Sequence, residues 1–183
     1  QYTRKSVSFS NSQTLPRDYV RKGEIALIIS EMSEQLAVRL RKAKKKATNF
    51  SLYVGFSMAD YQKSISVSRK IEATSSTKDL QEIAAQLFNE RYESGAVRRI
   101  GVSANNLIEE PYQLISLFDT DETSEETIKQ KKDEAVQEAL DTIRQKYRYI
   151  SVQKATVLKQ GSRTVARSKM VGGHSAGGLE GLE

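Results

Sequence analysis

The sequence predicts an α+β fold of element order β-α-β-β-α-β: a four-stranded sheet with two helices on one face, plus a C-terminal helix and a flexible tail. Three observations carry this. Four segments alternate polar and apolar residues, two helix-period stripes lie between them, and the composition changes after Leu107.

Residues 5–15, KSVSFSNSQTL, alternate and put Val7 and Phe9 on one face; Pro16 is expected to end this strand. A helix is expected from about Asp18 to Lys46. Ile25, Ile28, Ile29, Met32, Leu36, Leu40 and Ala43 recur at helical spacing, Asp18 is a candidate cap, and Gly23 weakens the first turn. Residues 48–57 form the second strand, with Phe50, Leu52, Val54 and Phe56 on one face. After a turn-like MADYQK, residues 64–73 form the third, with Ile65, Val67 and Ile71 inward, close enough to pair as a hairpin. Ser75-Ser76-Thr77 caps a second helix whose stripe is Leu80, Ile83, Ala84, Leu87 and Phe88, and Gly95 stops it. Residues 96–104 are the fourth strand.

Beyond residue 107 an acidic segment, EEPYQLISLFDTDETSEE, encloses an apolar knot. A third helix is expected over 124–148, acidic at its start and basic at its end, as the helix dipole favours. Residues 150–158 read as a short strand. From Lys159 onward Gly, Ser and basic residues predict little fixed structure. The expected organisation is therefore a sheet domain (1–107), a linker (108–123), a helix with a short strand (124–158) and a tail (159–183).

Composition excludes several function classes. The 183 residues contain no Cys, which removes disulfides, thiolate metal sites and Cys nucleophiles. The single His174 lies in the tail and is expected to have no role, which disfavours a Ser-His triad. There is no Walker A loop, dinucleotide fingerprint, HExxH or EF-hand loop, and the acidic pairs Glu109-Glu110 and Glu125-Glu126 read as solvated. No catalytic residue and no metal ligand is expected. A small hydrolase or transferase is disfavoured for the same reasons. No stretch approaches the ~20 apolar residues of a membrane span. Net charge is +6, pI about 9.4 and mean hydropathy −0.56, a mild bias toward polyanions. The chain starts at Gln1 rather than Met and is expected to be a piece of a longer protein, with Leu182-Glu183 as a cloning remnant.

Three constellations stand out. With both helices on one face, the other face of the sheet is open. If Val7 and Phe9 point inward, Ser6, Ser8, Ser10 and Ser12 point out. By the same alternation Ser51 and Tyr53, then Ser64, Ser66, Ser68 and Lys70, share that open face, with Lys5, Lys63, Arg69, Arg98 and Arg99 at or near it. Hydroxyls, backbone N–H groups and scattered cations are the usual donors to phosphate. An RNA-binding module of the same topology needs aromatics to stack bases, and only Tyr53 qualifies. The second constellation is RLRKAKKK, residues 39–46, which reads mainly as a solvated, dipole-matched helix end. The third is QLISLF, residues 113–118, either packing on its own domain or docking a partner's groove through Leu and Phe anchors.

KSVSFSNSQTLPRDY, the long helix, AVRRIGVSANNL, PYQLISLF and the closing ARSKMVGGH together resemble the C-terminal region of bacterial Y-family translesion DNA polymerases, in particular UmuC-type DNA-repair proteins of Gram-positive bacteria. The resemblance covers essentially the whole chain. It implies the little finger, a β-α-β-β-α-β domain whose sheet grips primer–template duplex through its backbone, with Ser6, Ser8, Ser10, Ser64, Ser66, Ser68, Arg69 and Arg98 near phosphates. It further implies a sliding-clamp (β subunit) peptide anchored by Gln113, Leu114, Leu117 and Phe118, although one extra residue separates the two pairs compared with the family's usual QLxLF. The implied partners are damaged or primer–template DNA and the clamp, in a cytoplasmic, monomeric protein with no membrane contact. No cofactor is expected for this piece, and Mg²⁺ only for the parent polymerase. The alternative is a stand-alone α+β adaptor or RNA-binding module docking a protein through QLISLF.

Overall fold

The computed structural model describes residues 8–109, 125–171 and 174–175. The chain divides into two compact units, one of residues 1–109 and 155–183, the other of residues 110–154.

In the first unit β1 (Phe9–Tyr19) leads into α1 (Lys22–Lys42), then β2 (Lys45–Phe56), β3 (Ile65–Thr74), α2 (Thr77–Arg91), β4 (Val97–Asn105) and a two-residue β5 (Ile108–Glu109). The sheet is antiparallel in order β1-β4-β2-β3, and β5 adds to the start of β2. The predicted α+β order therefore stands, with one short strand added.

Both helices cover one face because only that face is apolar. Ile25, Ile28, Ile29, Met32, Leu36 and Leu40 of α1 are buried, as are Leu80, Ala84, Leu87 and Phe88 of α2. They pack onto Phe50, Leu52 and Val54 of β2 and Ile100, Val102 and Ala104 of β4, the alternate residues of the two central strands. Ser76 caps α2, its hydroxyl accepting the Asp79 N–H, as its position before the stripe predicts. Arg41 ties the helices together by donating to the Ser75 carbonyl at 2.9 Å and the Thr77 hydroxyl at 3.0 Å.

Three local expectations are corrected. Pro16 lies inside β1 rather than ending it. β1 is an edge strand and its register with β4 slips between Thr14 and Tyr19, where a missing N–H breaks no ladder bond. Asp18 does not cap α1; Arg21 occupies that position without a side-chain cap bond, and Asp18 instead pairs with Arg98 at 3.4 Å. Residues 150–158 hold two single 3₁₀ turns, Tyr149–Ser151 and Ala155–Leu158, in place of a strand. The backbone swings to φ 76° at Arg148, and no described strand lies alongside to supply a ladder.

The chain after Lys159 also departs from its composition. Residues 164–168 form the short helix α4, and the segment before it runs along one face of α1. Gly161, at φ 95°, lies against Glu24, where a Cβ would come within 2.8 Å of that side chain. Seven residues, about two helical turns, further along α1, Glu31 accepts the Ser162 hydroxyl and the Arg163 N–H, the latter at 2.9 Å. Arg167 completes the site, 3.5 Å from Glu31 and 2.9 Å from the Gln13 amide oxygen. A basic, Gly-containing segment is ordered here because the Glu31 carboxylate accepts two of its hydrogen bonds and pairs with Arg167, while Gly161 leaves room for the Glu24 side chain, whose carboxylate is bonded to Arg17. Met170–Val171 (β6) and His174–Ser175 (β7) pair beyond it. In the second unit the third predicted helix is α3 (Glu125–Tyr147), where Arg144 donates to the Val152 carbonyl at 3.1 Å and covers the Tyr149 ring.

Candidate nucleic-acid interface

The face of the sheet away from the helices is built in cross-strand rows. One row runs Ser10–Ser103–Ser51–Ser68 across β1, β4, β2 and β3. The next runs Ser12–Gly101–Tyr53–Ser66, and beyond it lie Thr14–Arg99–Gly55. On the other side of the serine row, Asn105–Asn49–Lys70 continue the pattern. Neighbouring strands sit ~4.8 Å apart and rows ~6.7 Å apart along the strands, so the hydroxyls form a regular grid. None of these row positions is a carboxylate.

The grid is internally tied. The Ser51 hydroxyl donates to Ser68 at 3.2 Å and the Ser68 hydroxyl to the Asn49 amide oxygen at 2.8 Å. The Asn105 amide donates to Ser51 at 2.8 Å and to Asn49 at 3.2 Å. These bonds orient the hydroxyls while leaving oxygen lone pairs and the Asn49 amide N–H groups for a ligand. Tyr53, 39% exposed, is the single large ring in the rows, and its hydroxyl lies over Gly55, 3.0 Å from where a Cβ would stand. Gly101 in the central strand β4 keeps the middle of the face low, and strand-interior glycine commonly marks close approach of another backbone. The result is a shallow depression between Ser10, Ser12, Ser51, Tyr53, Ser66 and Ser103, bordered by Lys70 and Arg99. It suits hydrogen bonding to phosphate oxygens and does not suit acid–base or nucleophilic chemistry.

The predicted site residues distribute as follows. Ser10, Ser66, Ser68, Lys70 and Arg99 lie on this face, and Ser8, Lys63 and Ser64 are exposed beside it. Arg69 belongs to the opposite face. It stands level with buried Phe50 and binds Glu90 of α2 at 2.6 Å and Gln86 at 3.4 Å. Arg98 sits where the β2–β4 register slips and is held by Asp18. Lys5 and Ser6 lie outside the described residues, as do Gln113, Leu114, Leu117 and Phe118. Sequence reasoning passed over Ser103, Asn49 and Asn105, although the alternation of VRRIGVSAN already places Arg99, Gly101, Ser103 and Asn105 together. In the basic run, Arg39 donates to the Ser10 carbonyl and Arg41 to the start of α2, so both serve the fold, while Lys42 and Lys44 are exposed. Among the described residues no three His, Cys, Asp or Glu converge as a metal site, and no helix is long and apolar enough to cross a membrane.

Comparison with known proteins agrees with the resemblance read from the sequence. The model of the impB/mucB/samB family C-terminal domain matches residues 6–117. UvrX of Bacillus subtilis (strain 168), named for UV-damage repair, is 30% identical over 171 residues, which is 93% of this chain and 39% of that protein. DNA polymerase IV 2 of Halalkalibacterium halodurans is 26% identical over 93% of this chain and 40% of its own length. The chain thus spans about two fifths of these relatives. Among solved structures, the complex of a beta-clamp processivity factor and the little finger domain of PolIV aligns with TM-score 0.45 and 20% identity, covering 56% of this chain and 90% of that one. The post-insertion binary complex of Dbh DNA polymerase aligns with TM-score 0.46 and 20% identity over 57% of this chain and 30% of that one. Since the family match takes in every strand of the open face, the chain belongs to the impB/mucB/samB family and carries its C-terminal domain.

Proposed function

We propose that this chain is the non-catalytic DNA grip of an error-prone translesion polymerase, holding primer–template duplex by its phosphate backbone. The observation that carries the reading is the open sheet face: a grid of oriented hydroxyls and amides without a carboxylate among its rows, bordered by Lys70 and Arg99. Such a face contacts phosphate and sugar without reading bases, which a polymerase moving along any sequence requires. QLISLF tethers the protein to the sliding clamp, with Gln113, Leu114, Leu117 and Phe118 as anchors. Extension of the primer across damaged template, with Mg²⁺ and nucleotides, belongs to the rest of the parent polymerase. The described residues do not fit a Mg²⁺ site, and no step of that chemistry is assigned to them.

The test is an NMR titration of the isotope-labelled chain with a short primer–template duplex at low salt. Shifts concentrated in residues 8–12, 63–70 and 97–105, and indifferent to DNA sequence, are expected. Shifts confined to the helix face, or strong sequence preference, would overturn the grip. For the tether, Leu117→Ala with Phe118→Ala is expected to abolish capture by the clamp while leaving the circular dichroism spectrum unchanged. Undiminished capture would remove QLISLF as the anchor.

A further inference from the structure

The turn joining β2 to β3 carries two large apolar side chains almost wholly in water: Met58 is 96% exposed and Tyr61 94%. Tyr61 also holds a left-handed backbone, φ 49° and ψ 10°, which bulky residues adopt only under strain. The turn is nonetheless firmly built. The Asp60 carboxylate accepts the Ala96 N–H at 2.5 Å and the Gln62 amide at 3.2 Å, and the Ser57 N–H donates to the Ala96 carbonyl at 2.7 Å. Beneath it Gly95 sits at φ 127°, where a Cβ would come within 2.9 Å of Gln62, Phe56 and Asp60. Neither Met58 nor Tyr61 contributes buried surface to this arrangement. Strain and exposed apolar area concentrated on one rigid turn call for a role outside the fold's own stability.

The surroundings indicate the partner. The turn's carboxylate is turned inward onto Ala96 and Gln62, away from the tip. Exposed Lys63 follows two residues after Tyr61, and β3 then carries Ser66, Ser68 and Lys70 onto the open face. On the neighbouring strand Arg99 stands opposite Gly55, just before the turn begins. The apolar tip is thus continuous with a hydroxyl- and cation-bearing face. One class of DNA-binding proteins inserts apolar side chains into a groove beside its phosphate contacts. We propose that Met58 and Tyr61 insert into a groove of the duplex lying on the open face, packing against sugar and base edges and fixing where the duplex sits along the strands. This rests on the DNA-grip reading above.

The strain supplies a test in which stability and binding move in opposite directions. In the full chain, Tyr61→Gly removes the ring and relieves the left-handed backbone. Its thermal midpoint is expected to stay level or rise while affinity for a short duplex falls several-fold. Met58→Ser is expected to weaken binding without lowering the midpoint. Independently, the chain carrying Tyr61→p-benzoylphenylalanine, irradiated on the duplex, is expected to cross-link to a DNA strand. The proposal is overturned if the unaltered chain binds the duplex while both variants bind it equally well, or if position 61 forms no cross-link in that complex. If the unaltered chain binds no duplex under conditions where its fold is intact, the grip reading itself fails and this inference with it. A cross-link from position 61 to the sliding clamp instead would reassign the tip to protein docking.

Discussion

Replacing Arg167 by Leu should cost this protein a large share of its stability, although the residue lies in a segment whose composition reads as tail. Arg167 and Glu31 are each 7% exposed, 3.5 Å apart, and Arg167 also donates to the Gln13 amide oxygen at 2.9 Å. Removing one member of a buried ion pair leaves the other charge without compensation, which typically costs about 3–5 kcal/mol. Glu31 keeps the Arg163 N–H and the Ser162 hydroxyl, which places the expected loss near the lower bound, about 3 kcal/mol. For a chain of this size each kcal/mol lowers the thermal midpoint by roughly 2–4 °C, so a fall of about 6–12 °C is expected. Urea denaturation followed by circular dichroism measures the loss directly. The double variant Glu31→Leu with Arg167→Leu should recover part of it, since no unpaired charge is left, although the Ser162 hydroxyl and the Arg163 N–H lose that acceptor. A loss under about 1 kcal/mol for the single variant, with additive behaviour in the double, would refute the reasoning. It would mean that the pair is solvated and that residues 159–169 do not dock on α1.

Other outcomes follow from the same structure. Gly95→Ala must accept φ 127° and a Cβ within 2.9 Å of three side chains, and is expected to lower stability by about 1–3 kcal/mol in urea denaturation. Ser76→Ala removes the hydroxyl that accepts the Asp79 N–H and should cost ~1 kcal/mol by the same assay; no change would remove it as a cap. Burial, reinforced by the Asp60 carboxylate, holds the Tyr92 phenol above the ordinary 10.0. Its contribution is complete below the unfolded value and is lost as pH rises through the higher folded one, so stability should fall above pH 10. Tyr92→Phe, measured against the parent from about pH 8 to about pH 11, should flatten that alkaline decline while losing the bond to the Gly95 carbonyl. If Lys63, Lys70 and Arg99 each meet a phosphate, log affinity for duplex should fall with log salt at a slope of about −2.7, and Lys70→Gln should reduce it by about 0.9. A slope near zero would show that none of them does.

Much of the candidate site was legible because strand alternation is a local property. The parity of SISVSRKIEA puts Ser66, Ser68 and Lys70 on one side and Ile65, Val67 and Ile71 on the other, and the structure keeps both sets. The same parity assigns Arg69 to the inward side. What no local pattern reveals is that Glu90 and Gln86 of α2 wait there to bind it. The strand around Pro16 failed for the complementary reason. Proline ends a strand only where its missing N–H matters, and whether β1 lies at the edge depends on which strands pair with it.

By itself the sequence determined the order of the four long strands and of the two helices that cover them, the apolar stripes of α1 and α2, the cap at Ser76 and the two chemistries of the sheet's faces. Each rests on periodicity or on contacts within a few residues, and side-chain chemistry at fixed spacing suffices for those. Tertiary structure alone decided the register that aligns Ser10, Ser103, Ser51 and Ser68 into one row, because lateral alignment is a property of paired strands. It alone decided that residues 159–169 are ordered, because the Glu31 carboxylate that organises them lies more than a hundred residues earlier in the chain. Burial turns that distant charge match from a weak surface attraction into a specific contact, and burial exists only once the chain has folded.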